Sequence, residues 1–175
     1  YSKRDAAGEA DSADRGKVVT LPRRDGTDEE ENPFASIDAV AAPGTPLNEQ
    51  LRTVAKADPS FNPKEFANGA RMAYEMIVVA FADGDRKTLK DLLSKEVLEG
   101  FEAAIRDREA RNEKVQTQFV SIDKSEISDA GLIGRNAQVT VRFLSKLITA
   151  TRDAAGTVID GNAEKVLDVV DIWTF

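Results

Sequence analysis

The stretch FANGARMAYEMIVVAF, Phe66 to Phe81, closed by Ala82-Asp83-Gly84-Asp85, decides how this chain folds. Phe66, Ala70, Ala73, Ile77, Ala80 and Phe81 recur at helical spacing and form one apolar stripe, and Gly84 supplies the stop. Asn62 stands where a helix cap belongs and Pro63 where a helix opens, so the spacing predicts a helix to about Asp83. Such a stripe needs an apolar surface to lie against.

Downstream, Asp85 is placed to cap a short helix from Arg86 to Leu93. Ser94 caps another that carries Leu98, Phe101 and Ile105 inward. Its charged second half, Arg106 to Lys114, reads as a solvated helix end, with Asp107–Arg111 and Arg106–Glu109 at pairing distance along the helix. After Val115 the period changes. Gln116 to Ile127 is rich in β-branched and aromatic residues. Ala137, Val139, Val141, Phe143 and Leu147 then alternate with Gln138, Thr140, Arg142 and Lys146, the pattern of a strand with one buried face. Gly131 and Gly134 read as the connection between these two strands. A turn at Asp153–Gly156 or Asp160–Gly161 leads to a third strand, Val166 to Phe175, interrupted by Asp168 and Asp171. Helices first and antiparallel strands after predict an α+β domain, with the helices on one face of a curved sheet.

Upstream, residues 1–45 read as an acidic, largely disordered tether, with Asp28-Glu29-Glu30-Glu31 repelling itself. Within it, Gly16 to Arg24 (GKVVTLPRR) is a candidate partner-binding motif. Thr45 and Pro46 open a short amphipathic helix over 46–58, with Leu47, Leu51 and Val54 on one face. That face needs a host: its own domain, a partner or a membrane interface. Leu47, Leu51, Val54 and Phe61 are therefore the candidate membrane or partner contacts. Phe61 and Phe66 also fit a hydrophobic staple across the start of the main helix. The α+β domain proper is expected over 59–175.

Composition removes several classes of function. The 175 residues carry a net charge of −7, against the basic face that nucleic-acid binding requires. Cys 0 and His 0 leave no disulfide, no thiolate or Ser-His-Asp nucleophile, and neither of the two commonest zinc ligands. Asp160-Gly161-Asn162 lacks the further oxygen ligands of a calcium loop, so no metal and no cofactor are expected. Met76 to Ala82, the best apolar run, is less than half of the ~20 residues that cross a bilayer. Tyr74 with Asp168 or Asp171 is the one candidate catalytic pairing, an enzyme on the same scaffold. The bland reading leaves the Tyr74 hydroxyl at the rim and both aspartates in water. Trp173 reads as core.

The order F-x-x-G-A (Phe66 to Ala70), A-Y-E-x-I (Ala73 to Ile77), A-F-A-x-G-D (Ala80 to Asp85), L-x-x-L-L (Leu89 to Leu93) and D-I-W-T-F (Asp171 to Phe175) resembles the Tim44-like domain family. That family comprises the C-terminal domain of a mitochondrial inner-membrane import motor subunit and its alphaproteobacterial relatives. The resemblance covers about Asp58 to Phe175. It implies a cystatin-like, nuclear transport factor two-like cone enclosing an apolar pocket. Phe66, Ala70, Ala73, Ile77, Phe81, Phe101, Val141, Phe143 and Trp173 would line that pocket. It also implies a non-catalytic scaffold or adaptor that binds an inner-membrane protein complex or membrane lipid; a lipid carrier is a further alternative. The bacterial branch implies the cytoplasmic face of an inner membrane, with an anchor upstream of residue 1. The mitochondrial branch implies the matrix side. In the family a further strand follows Trp-Thr-Phe, and a domain without it would leave a sheet edge unpaired.

Overall fold

Helices α1 (Ala35–Asp38), α2 (Pro46–Ala57), α3 (Pro63–Asp83), α4 (Arg86–Leu92) and α5 (Lys95–Ala110) precede strands β1 (Lys114–Ile133), β2 (Asn136–Arg152), β3 (Val158–Gly161) and β4 (Leu167–Thr174). This is a computed structural model, and it describes residues 32–175. The tether expected over 1–31, with its Gly16–Arg24 motif, lies outside the described residues.

Local chemistry sets the helix ends. The Asn62 side chain accepts hydrogen bonds from the Lys64 and Glu65 amides at 3.0 and 3.1 Å. Phe61 and Phe66 then meet across that cap, ring centroids 5.8 Å apart, as a hydrophobic staple. Gly84 closes α3 in the left-handed region, φ +72°, which a side chain would resist. Thr45, Asp85 and Ser94 cap α2, α4 and α5 through their side-chain oxygens.

The sheet is antiparallel, and β2 is its spine. β1 pairs along the length of β2, while β4 and β3 share the other side in tandem, against 140–147 and 150–152. β1 has 20 residues to the 17 of β2. Register shifts at Phe119/Ser121, Ile122/Lys124 and Ile127/Asp129 absorb the difference. Each bulge bends the strand and adds twist, so β1 curves over the helices. The outer edge of β4 has no strand partner among the described residues.

α3 lies across the inner face of this sheet. Ile37, Leu51, Val54, Ala70, Tyr74, Ile122, Ala130, Val139, Val141 and Phe143 form one buried cluster. Ile77, Ala80, Leu89 and Ile105 form a second at the α4–α5 end, and Trp173 packs against both. The result is an α+β fold of helices on an antiparallel sheet.

Four details differ from the sequence reading. The unit that carries the sheet begins at Pro33, because α1 buries Ile37 to 1 % exposure and Asn48 ties it down through Asp38 Oδ1 and the Ala41 carbonyl, both at 2.8 Å. A fourth strand, β3, sits between the two expected turns and ends at Gly161, where a Cβ would run into the Thr149 carbonyl. Gly131 lies within β1, and Gly134, φ +61°, makes the turn. The charged end of α5 is only partly solvated: Arg108 is 8 % exposed and donates to the Phe81 carbonyl at 2.8 Å, completing the C-terminus of α3. Its neighbours pair elsewhere, Glu109 with Arg86 at 3.0 Å and Arg111 with Glu113 at 3.1 Å.

Candidate functional site

Alternation along β4 gives its two faces opposite surroundings. Asp171 and Trp173 turn toward α3, while Val170 and Ile172 turn away from it and are 55 % and 62 % exposed. The inward side meets Tyr74, which has no exposed surface. Its ring stacks on Phe143, with centroids 4.2 Å apart and planes 4° from parallel. Trp173 and Phe119 close on it edge-first at 4.7 and 5.5 Å. The Tyr74 hydroxyl donates to Asp171 Oδ2 at 2.5 Å and shares a hydrogen bond with Ser145 Oγ at 3.2 Å.

This arrangement keeps the phenol neutral. Burial, followed by the hydrogen bond to Asp171 and the charge of that carboxylate, pushes the Tyr74 pKa up to about 12; the bond to Ser145 opposes them. A phenol held so firmly protonated is a donor that locks α3 to β2 and β4, and a poor general base. The bland sequence reading is thus half corrected. Asp168 is indeed in solvent, 87 % exposed and 4.0 Å from Lys146, but Asp171 turns inward and the Tyr74 hydroxyl lies in the interior. Counting two residues back from an inward Trp173 would have found Asp171. No local signal pointed to Ser145.

The nine residues expected to line a pocket come together, and they do so as packing. Ala70, Val141 and Phe143 are buried in the first cluster with Phe66 against it, and Ile77 is buried in the second with Ala73, Phe81 and Phe101 against it. Trp173 joins the two. Leu51 and Val54, at 0 and 1 % exposure, are spent on the domain's own core, and Leu47 and Phe61 pack against the same cluster. The host of α2 is therefore its own sheet, through β1.

Open clefts lie elsewhere. One of about 480 Å³ lies between the α1–α2 turn, the first turn of α3 and β1, with Val40, Leu47, Ala67, Ser125 and Ile127 among its walls. Another of about 620 Å³ lies at the C-terminal ends of α3 and α5, beside Arg108, Glu109 and Lys114. Neither is lined by Tyr74 or Asp171. On the outer face of the sheet, Ile172 stands opposite Arg142, and Val170 opposite Leu144. Among the described residues no acidic group is arranged to hold a metal, and no helix is long and apolar enough to cross a membrane.

Comparison with known proteins places these features in a lineage. A subunit of the mitochondrial inner-membrane import translocase, TIM44-1 of Arabidopsis thaliana, is 24 % identical over 122 residues, covering 70 % of this chain and 26 % of that protein. TIM44 of Homo sapiens is 20 % identical over 130 residues, covering 74 % of this chain and 29 % of its own length. The chain therefore spans less than a third of these curated relatives. Among solved structures, the intermembrane-space region of the chloroplast protein ARC6 aligns with TM-score 0.43 at 12 % identity, over 66 % of this chain and 83 % of that one. The model of the Tim44-like domain matches residues 47–175, which is most of the chain, and on that match the protein belongs to the Tim44-like domain family.

Proposed function

We propose that this domain is a non-catalytic scaffold that holds a protein complex of an inner membrane, or the lipid around it, in the service of protein translocation or membrane-protein assembly. The contrast within β4 carries the reading: inward residues are consumed by packing, while Val170 and Ile172, on the opposite face, offer apolar area to a partner. Membership in the Tim44-like family supports it, since the relatives named above are subunits of an inner-membrane translocase. The test is affinity purification of the full-length protein from detergent-solubilised membranes, beside the double variant Val170→Asp/Ile172→Asp. The wild type should retain a defined set of membrane proteins, and the variant should lose at least about 90 % of them while melting normally. Undiminished recovery with the variant would move the docking surface elsewhere.

The meeting of Tyr74 with Asp171 is the one observation favouring an enzyme instead. Turnover that Tyr74→Phe abolishes without loss of folding would establish that reading and displace the first.

A further inference from the structure

Helix α3 carries a second apolar stripe that the core does not use. Its inner side buries Ala70, Tyr74 and Ile77, while Met72 and Met76, on another side, are 66 % and 50 % exposed. Gly69, Met72, Met76 and Val79 follow one another at spacings of three, four and three residues, the seam of a helix that meets another helix. That seam runs for about 15 Å along the helix axis. A shallow groove of about 330 Å³ opens along its C-terminal half, lined by Met76, Val79 and Ala80 of α3 and by Thr88 of α4.

Gly69 is an independent signal on the same seam. Glycine inside a helix costs stability relative to alanine. Here a Cβ would meet nothing within 4 Å, and the backbone is not in the left-handed region, so the fold itself gives no reason for the residue. A bare backbone on an exposed seam does let a second helix pack close.

Charge selects the occupant. The charged lining of the groove is Glu75, Asp83 and Asp85, with no cation among them. Glu75 and Asp83 form no ion pair among the described residues. Asp85 accepts from the Thr88 hydroxyl and amide at 2.6 and 3.1 Å, bonds that lower its pKa and keep it ionised. Of the cations nearby in sequence, Arg86 is engaged by Glu109, and Arg71 and Lys87 stand outside the groove lining. An anionic membrane surface, or a second copy of the same acidic seam, would meet repulsion there. A helix with Lys or Arg beside its apolar face would be drawn in.

We infer that this outer side of α3 docks a basic amphipathic helix of a partner protein, with apolar side chains over Met72, Met76 and Val79 and cations toward Glu75, Asp83 and Asp85. The site goes beyond the β4 docking surface and does not rest on it.

The experiment titrates the ¹⁵N-labelled full chain with the helical peptide acetyl-KLAKLLKALAKLLK-amide. Controls are the same peptide with every Lys replaced by Glu, and a scramble of equal composition without an apolar face. Saturable shifts at the amides of Gly69, Met72, Met76, Val79 and Thr88 are expected with the first peptide alone, weakening as salt is raised. Met72→Ser/Met76→Ser should weaken binding at least about tenfold. Glu75→Lys/Asp83→Lys should weaken it about tenfold and admit the Glu peptide, with a normal melt because neither carboxylate is paired in the fold. Gly69→Ala should raise the melting temperature by about 1–3 °C, whereas Gly69→Leu should block binding in a folded protein. Any of four results would overturn the inference: no saturable shift with the Lys peptide; equal affinity for the Lys and Glu peptides or for the scramble; shifts confined to Val170 and Ile172; or shifts along α3 that grow with protein concentration before peptide is added, which would make a second copy the occupant.

Discussion

Neighbouring residues of β4 meet opposite fates. Trp173 is wedged between two buried clusters, while Ile172, one position before it, is 62 % exposed. Both are large and apolar, so hydrophobicity alone does not assign them. What separates them is the helix layer: α3 covers one face of the sheet, and among the described residues no helix covers the other where Val170 and Ile172 stand. The inner face therefore sets stability and the outer face is the one proposed to bind, and substitutions on the two should separate folding from function.

The largest separation is expected from Ile77→Asp, on the inner side at 3 % exposure. A carboxylate there has no partner, so the cost should exceed about 4 kcal/mol and abolish the cooperative thermal transition. A normal melt would remove α3 from the core. Phe143→Ala comes next. It deletes the ring on which Tyr74 stacks and should lower stability by about 3–5 kcal/mol in urea titration. A loss below about 1 kcal/mol would mean that the interface collapses to fill the gap.

Tyr74→Phe probes the polar centre of the same face. It leaves Asp171 and Ser145 each short of one hydrogen bond and should cost about 1–3 kcal/mol. The pH dependence carries a sharper signature. The Tyr74 pKa is about 12 in the folded chain against 10.0 when unperturbed, so the unfolded chain gives up this proton first. The stabilisation is fully present below pH 10 and is lost as pH rises toward 12, an alkaline loss of roughly 2–3 kcal/mol. Tyr74→Phe should remove that slope, and matching alkaline slopes in both proteins would show that the hydroxyl is not held as described. The smallest effect on folding belongs to the outer face. Ile172→Ser should change stability by no more than about 0.5 kcal/mol while reducing recovery of membrane partners, whereas a larger destabilisation would mean that Ile172 serves the fold.

Much of the fold was legible because its signals are local. Asn62-Pro63, Thr45-Pro46 and Gly84 mark helix ends by the hydrogen bonds and dihedrals those residues make with their own chain. The period change after Val115 announced the strands in the same way. What escaped the reading was set by partners distant in sequence. β3 is a 4-residue strand too short to show a period, and it exists because β2 runs on past β4 to receive it. Arg108 lies in a charged run that looks solvated, yet α5 delivers it to a carbonyl 27 residues away. The apolar face of α2 was visible at Leu47, Leu51 and Val54, but not whether a membrane, a partner or β1 would receive it.

The candidate sites divide along the same line. Composition by itself removed thiol and imidazole chemistry, since a chain with Cys 0 and His 0 cannot supply those groups in any conformation, and its net charge of −7 argues against a nucleic-acid partner. Helix positions, strand faces and the family motifs were likewise written in residue order, because capping, periodicity and turn geometry act over a few neighbours. Only the tertiary structure decided that Tyr74, Ser145 and Asp171 form one hydrogen-bonded knot and that Arg108 closes the C-terminus of α3. Those outcomes depend on which element covers which face, and that is settled by packing between segments tens of residues apart.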